Sequence, residues 1–217
     1  MRKSVGAATL AIALVGLVGC QSGESGSGDH DALSVERLAL LADGVGKGSS
    51  KDCPLPYDVA KAAAKVGLGN DIVPGAPDDQ DAVVATAENG TQPEKDSAWA
   101  ANPGALVRCT YHVGEDALKI YTIGGRKPGV VSLLVPVMQQ AGGMDVSSEL
   151  APYVEETKKA APGEAVQSAG GNVVTVPLST DDADHVAMVL TVGNMGKTSL
   201  KPGQILELAK TFAAQAE

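Results

Sequence analysis

"LVRCTYHVGEDALKIYTIGG" (106–125) is the stretch on which the reading of the fold turns. Its first half alternates. Val107, Cys109, Tyr111 and Val113 fall on one side of an extended chain, and Arg108, Thr110 and His112 fall on the other, because successive side chains of a strand point to opposite faces. Gly114, Glu115 and Asp116 break the run. Leu118 and Ile120 belong to a second extended run that ends on Gly124 and Gly125. Two such runs around a short glycine-containing turn predict a β-hairpin.

The same signature returns downstream. "GNVVTVPLS" (171–179) and "HVAMVLTVGN" (185–194) predict two strands around the turn "TDDAD" (180–184). Between the hairpins, "SSELAPYVEETKKAAPG" (147–163) predicts a helix capped by Ser147, with Glu155 and Lys159 paired at i,i+4. The apolar run "GVVSLLVPVMQQAGG" (129–143) fits either a buried strand or a helix interrupted at Pro136, and its second half reads better as helix. "KPGQILELAKTFAAQ" (201–215) places Ile205, Leu208 and Phe212 on one helical face.

On the N-terminal side, "SVERLALLADG" (34–44) predicts a helix capped by Ser34 and stopped at Gly44. "CPLPYDVAKAAAKVGLG" (53–69) predicts another, with Pro56 in its first turn and Gly67 at its end. Residues 70–104 are rich in Pro, Gly, Asn and Asp, long for a plain connection. Either "AVVATA" (82–87) adds a short strand there, or the whole segment is a surface excursion pinned by Trp99. The order helix, hairpin, helix, hairpin, helix predicts an α+β fold: an antiparallel sheet built from two hairpins, with helices packed on one face. Residues 34–217 then form a single globular domain.

The other end of the chain speaks of location. Arg2 and Lys3 precede an apolar run from Val5 to Val18, too short to span a bilayer but right for the apolar region of a signal peptide. "Leu17-Val18-Gly19-Cys20" resembles the lipobox of bacterial lipoproteins. The resemblance implies that 1–19 are a lipoprotein signal peptide and that Cys20 is lipidated, anchoring the protein to the cell membrane on its extracytoplasmic side. An ordinary signal peptide with an incidental cysteine, or an uncleaved anchor, are the alternatives. Two acyl chains hold a protein on a membrane where one does not, at about 0.8 kcal/mol per buried CH₂. Residues 20–33 are Gly/Ser-rich and read as a flexible tether.

Composition narrows the function classes. The chain has 217 residues and a formal net charge of −9, which becomes −9 − 2 = −11 once Arg2 and Lys3 are lost with the acid-free segment 1–19. That argues against nucleic acid and against electrostatic docking on anionic lipid. Aromatic residues make up only 3% of the chain, so the core falls to Val, Leu, Ile and Ala, and a stacking platform for sugars is disfavoured.

Once Cys20 is set aside, Cys53 and Cys109 are the remaining cysteines. An oxidising exterior predicts a disulfide between them, with two separate buried thiols as the alternative. The chain-entropy estimate for a loop of this size is about 4 kcal/mol. A lipobox, a tether, one cysteine before a helix and a second in a strand together resemble uncharacterised actinobacterial lipoproteins carrying a Cys-pair domain of unknown function. That resemblance implies no catalytic residues.

Motifs with chemistry are few. "TVGNMGKTS" (191–199) ends like a phosphate loop, but Thr191 stands where the first glycine belongs and Pro202 follows, so no nucleotide is expected. Asp181, Asp182, Asp184 and His185 make an acidic turn with too few ligands for a hard cation. No nucleophile elbow or zinc-protease motif occurs. The sequence therefore predicts a non-catalytic binding module without cofactor or metal, whose partner is an envelope protein or cell-wall component. Trp99 is its candidate binding residue, weighed against a role in packing alone. A carrier of an apolar small molecule or lipid is the alternative. Met138, Met144, Met188 and Met195 would then line a pocket between sheet and helices, or else fill a packed core. An envelope hydrolase is a third reading.

Overall fold

The computed structural model describes residues 33–45, 53–69, 71–75, 83–86, 104–180 and 184–217. Cys20, the tether and Trp99 lie outside the described residues, as do Asp181 and Asp182. The central hairpin is β3 (Gly104–Val113) and β4 (Asp116–Gly125), in antiparallel register from Gly104 opposite Gly125 to Val113 opposite Asp116. That register leaves a two-residue turn. Gly114 takes its first position with φ +57, a conformation that favours glycine.

The second hairpin, β6 (Val173–Leu178) and β7 (His185–Val192), joins the first through β7 and β4. Two short strands sit outside the predicted pattern. β1 (Ile72–Pro74) pairs with β3, and β5 (Val166–Gln167) pairs with β6. The "AVVATA" segment does supply a strand, β2 (Val83–Thr86), which runs along the same edge of β3 as β1. The antiparallel sheet has the order β1-β3-β4-β7-β6-β5, with β2 on β3.

The α+β class and the antiparallel sheet are as the sequence predicts. The helices, however, cover both faces rather than one. One face carries α1 (Val35–Gly44), α2 (Val59–Lys65) and α5 (Pro202–Ala216), packed on Val107, Cys109, Ile120, Val176, Met188 and Leu190. The other carries a 3-10 turn (Val130–Leu134) running into α3 (Val135–Gly142), and a π-helical turn (Val146–Leu150) running into α4 (Ala151–Lys159). These pack on Tyr121, Ile123, Val173, Ala187 and Val189. The physical reason is plain in β6 and β7. Both are buried almost continuously, and a strand apolar on both sides needs a layer on each.

Local chemistry corrects two helix starts and one ion pair. Pro56 precedes α2 rather than opening it, because Asp58 is the cap, accepting from the Lys61 N–H at 2.9 Å. Asp145, not Ser147, caps the π-helical turn that leads into α4 and accepts from the Ser147 and Ser148 N–H groups. Glu155 pairs with Lys158, not Lys159, at 2.8 Å. Pro136 lies in the first turn of α3, where its missing N–H costs nothing. Ser34 does cap α1, and Gly124 lets that helix close on the sheet. A Cβ there would stand 3.1 Å from Val35 and 3.3 Å from Leu38.

Candidate functional site

The sequence singled out Cys53 and Cys109, and the fold brings them together. They form a disulfide with Cα atoms 5.5 Å apart across 56 residues of sequence. It ties the chain entering α2 to the centre of β3, where Cys109 is fully buried. The bond lies in the helix-covered core, so its contribution is to hold two elements together.

A concave feature of the described surface lies at one end of the sheet, between the two layers. It is an open groove of about 580 Å³ between the β6–β7 hairpin, the 3-10 turn and the end of α4, within the size range of small-molecule sites. Val130, Val131, Leu178, Val186 and Ala187 lie along it but are almost fully buried, and Pro128, Pro162 and Pro177 stiffen its walls.

Its polar side chains are mostly committed inside the protein. Thr157 Oγ1 donates to the Tyr153 carbonyl at 2.9 Å, and Thr180 Oγ1 donates to the Asp184 carbonyl at 3.0 Å. Ser179 donates its hydroxyl to Glu217, and Lys158 donates to Glu155. Asp184 Oδ2 accepts the Val35 N–H at 3.1 Å, fastening the start of α1 to the groove. Among the described residues, His185 is the polar lining side chain left without a partner, and it is exposed. Sequence reasoning named His185 and Asp184 only as parts of an acidic turn and missed the groove.

A second, smaller cleft of about 320 Å³ adjoins the loop resembling a phosphate site. That loop's amides are already used. Met195 N donates to the Gln140 carbonyl, Gly196 N to the Ala141 carbonyl, and Lys197 N to the Asn194 carbonyl. Ser199 donates both its N–H and its hydroxyl to Asp116 at 2.6 Å, and Thr198 adds a third bond at 3.1 Å. Burial raises the Asp116 pKa, but the bonds from Ser199 and Thr198 outweigh it and hold the carboxyl below its ordinary value. A carboxylate that stays charged here disfavours a phosphate.

Each face also holds one buried tyrosine–threonine hydrogen bond. Tyr57 pairs with Thr122 at 2.6 Å under the α1–α2–α5 layer, and Tyr153 pairs with Thr175 at 2.7 Å under α4. Burial drives both phenol pKa values up, so neither is a candidate base. Among the described residues no cluster of three or more His, Cys, Asp or Glu is placed to hold a metal ion, and no helix is long and apolar enough to cross a membrane. No known protein family, curated protein or solved structure matches the chain.

Proposed function

We propose that this protein is a lipid-anchored, extracytoplasmic lipoprotein that acts at the cell envelope by binding, without catalysis. The observation that carries the reading is "Leu17-Val18-Gly19-Cys20" after an apolar run with two leading cations. A disulfide-closed body suits an oxidising exterior. The test is metabolic labelling with a fatty-acid analogue. Label is expected on the wild-type chain and lost in Cys20→Ala; label retained by the variant would overturn the anchor.

Within this reading Trp99 remains the candidate contact for an envelope protein or cell-wall component. Trp99→Ala is expected to abolish partner pull-down at unchanged melting temperature. A large fall in melting temperature would reduce Trp99 to packing. The second reading, a carrier of an apolar small molecule or lipid, is favoured by one observation, the groove beside Val131 and Leu178.

A further inference from the structure

We propose that Met195 is the methionine of the folded protein that takes an oxygen atom from a hydroperoxide, and that the turn carrying it accepts the change without loss of the fold. The inference stands apart from the anchor and from any partner, because it rests on the folded body alone.

Met138, Met144 and Met188 are 1%, 5% and 0% exposed, whereas Met195 is 61% exposed. The difference comes from the turn. Asn194 and Lys197 exchange both backbone hydrogen bonds, at 3.1 and 2.9 Å, around Met195 and Gly196. Those two residues have φ +51 and +73, as in a type I′ turn, where Asn, Asp or Gly usually stands first. Among the described residues Met195 is the one residue other than glycine with a positive φ. The turn is seated on the end of α3 through its backbone. Met195 N donates to the Gln140 carbonyl at 3.2 Å, and Gly196 N donates to the Ala141 carbonyl at 2.8 Å. The approach is close: a Cβ at Gly143 would stand 2.8 Å from the Met195 carbonyl carbon, and one at Gly196 would stand 2.8 Å from the Gly142 oxygen. Backbone bonds thus fasten the turn, and the thioether is left largely in solvent.

In the reaction, a lone pair on the exposed sulfur attacks the hydroxyl oxygen of the hydroperoxide. The S–O bond forms as the O–O bond breaks. The proton of the transferred hydroxyl passes to the departing oxygen, which leaves as water or an alcohol. Sulfur is oxidised by two electrons and the peroxide is reduced by two. The product is a sulfoxide, polar where the thioether was apolar. At Met195 the new oxygen meets water. At Met138, Met144 or Met188 it would enter a packed core and lose its hydration. A peroxide also reaches those three sulfurs only when the fold opens around them. Exposure therefore sets the order of oxidation, and backbone anchoring sets its tolerance.

The test exposes the full chain, natively folded, to hydrogen peroxide for increasing times and maps sulfoxide by peptide mass spectrometry. Met195 is expected to oxidise about tenfold or more faster than Met138, Met144 and Met188. Protein oxidised at Met195 alone is expected to keep the melting temperature of the unmodified chain. In denaturant the four rates should converge, which assigns the difference to the fold. Met195→Asn, a residue suited to the left-handed backbone, should remove the fast phase, leave the slow oxidation of the other three unchanged and keep or raise the melting temperature. The kinetics of the unaltered chain stand even if that variant fails to fold. Comparable rates at all four sulfurs in the native chain overturn the proposal. So does a Met195 that is still fastest in denaturant, since local sequence would then explain it. A clear fall in melting temperature on oxidation of Met195 alone overturns the tolerance of the turn.

Discussion

Under α1, α2 and α5, Phe212, Ile205, Leu208, Leu38 and Ile120 are completely buried, and a disulfide crosses the layer. Under α3 and α4, Ile123, Met138, Val173 and Val189 are buried just as completely, but the layer is built differently. Helices there begin through a 3-10 turn and a π-helical turn, and an open groove separates the end of α4 from the β6–β7 hairpin. Both layers rest on the same strands, so the difference comes from the helices. Long apolar faces seal one side. On the other, α3 and α4 are eight and nine residues long and leave a groove at one end of the sheet, while the strands beneath them stay buried. Both faces bury their apolar side chains; one is cross-linked by the disulfide and the other carries a groove at its end.

The largest expected effect tests the sealed side. Phe212→Ala should cost about 3–5 kcal/mol, since the ring is fully buried and meets Tyr57 edge-on with centroids 5.5 Å apart. Denaturant unfolding measures it; a loss under about 1 kcal/mol would break the contrast between the faces. Next, the double change Cys53→Ser with Cys109→Ser should cost about 2–5 kcal/mol, read as a lower denaturant midpoint; a midpoint left unchanged would show that the cross-link adds nothing to this face.

The matched tyrosines sharpen the comparison at a smaller scale. Tyr57→Phe and Tyr153→Phe should each cost about 1–2 kcal/mol, because each leaves a buried threonine hydroxyl unpaired. A much larger loss at Tyr57 would show that the sealed face amplifies local damage. Both phenols have raised folded pKa values, so the unfolded chain ionises first as pH rises. Stability should therefore fall above about pH 10 in wild type, and less steeply in either variant. The smallest effect belongs to Asp116→Asn, a few tenths of a kcal/mol for a partly solvated carboxylate. Its folded pKa is lowered, so its contribution is present above the ordinary carboxylate range and is lost as pH falls through the folded pKa. The difference from wild type should accordingly vanish in acid; a difference that persisted would show that shape, not charge, matters at this position.

Much of the sheet was legible because a period of two leaves a visible trace. Val107, Cys109, Tyr111 and Val113 all proved buried. The second layer was missed through a reading of β6 and β7 as ordinary hairpin strands. "NVVTVPL" and "HVAMVLTV" lack alternation, and that lack was the sign of burial on both sides. β1 and β5, at three and two residues, are too short to show a period. The Asp145 cap escaped because the π-helical turn shifts the partner. Asp145 N donates to Glu149, four residues on, where the familiar box has three. The disulfide needed only a count of cysteines. The groove was illegible because its walls come from three separated segments, which no local pattern joins.

The order in which α5 follows its partners has a kinetic consequence. Gln204 Nε2 donates to the Val66 carbonyl across 138 residues, and Asp58 N donates to Gln215 across 157. Contacts this distant in sequence form late and slow the search for the native state. During synthesis α1 and α2 emerge long before the helix that completes their layer, so the sealed face stays unfinished until α5 is present. The contacts that complete this layer therefore form only after the last helix has been made.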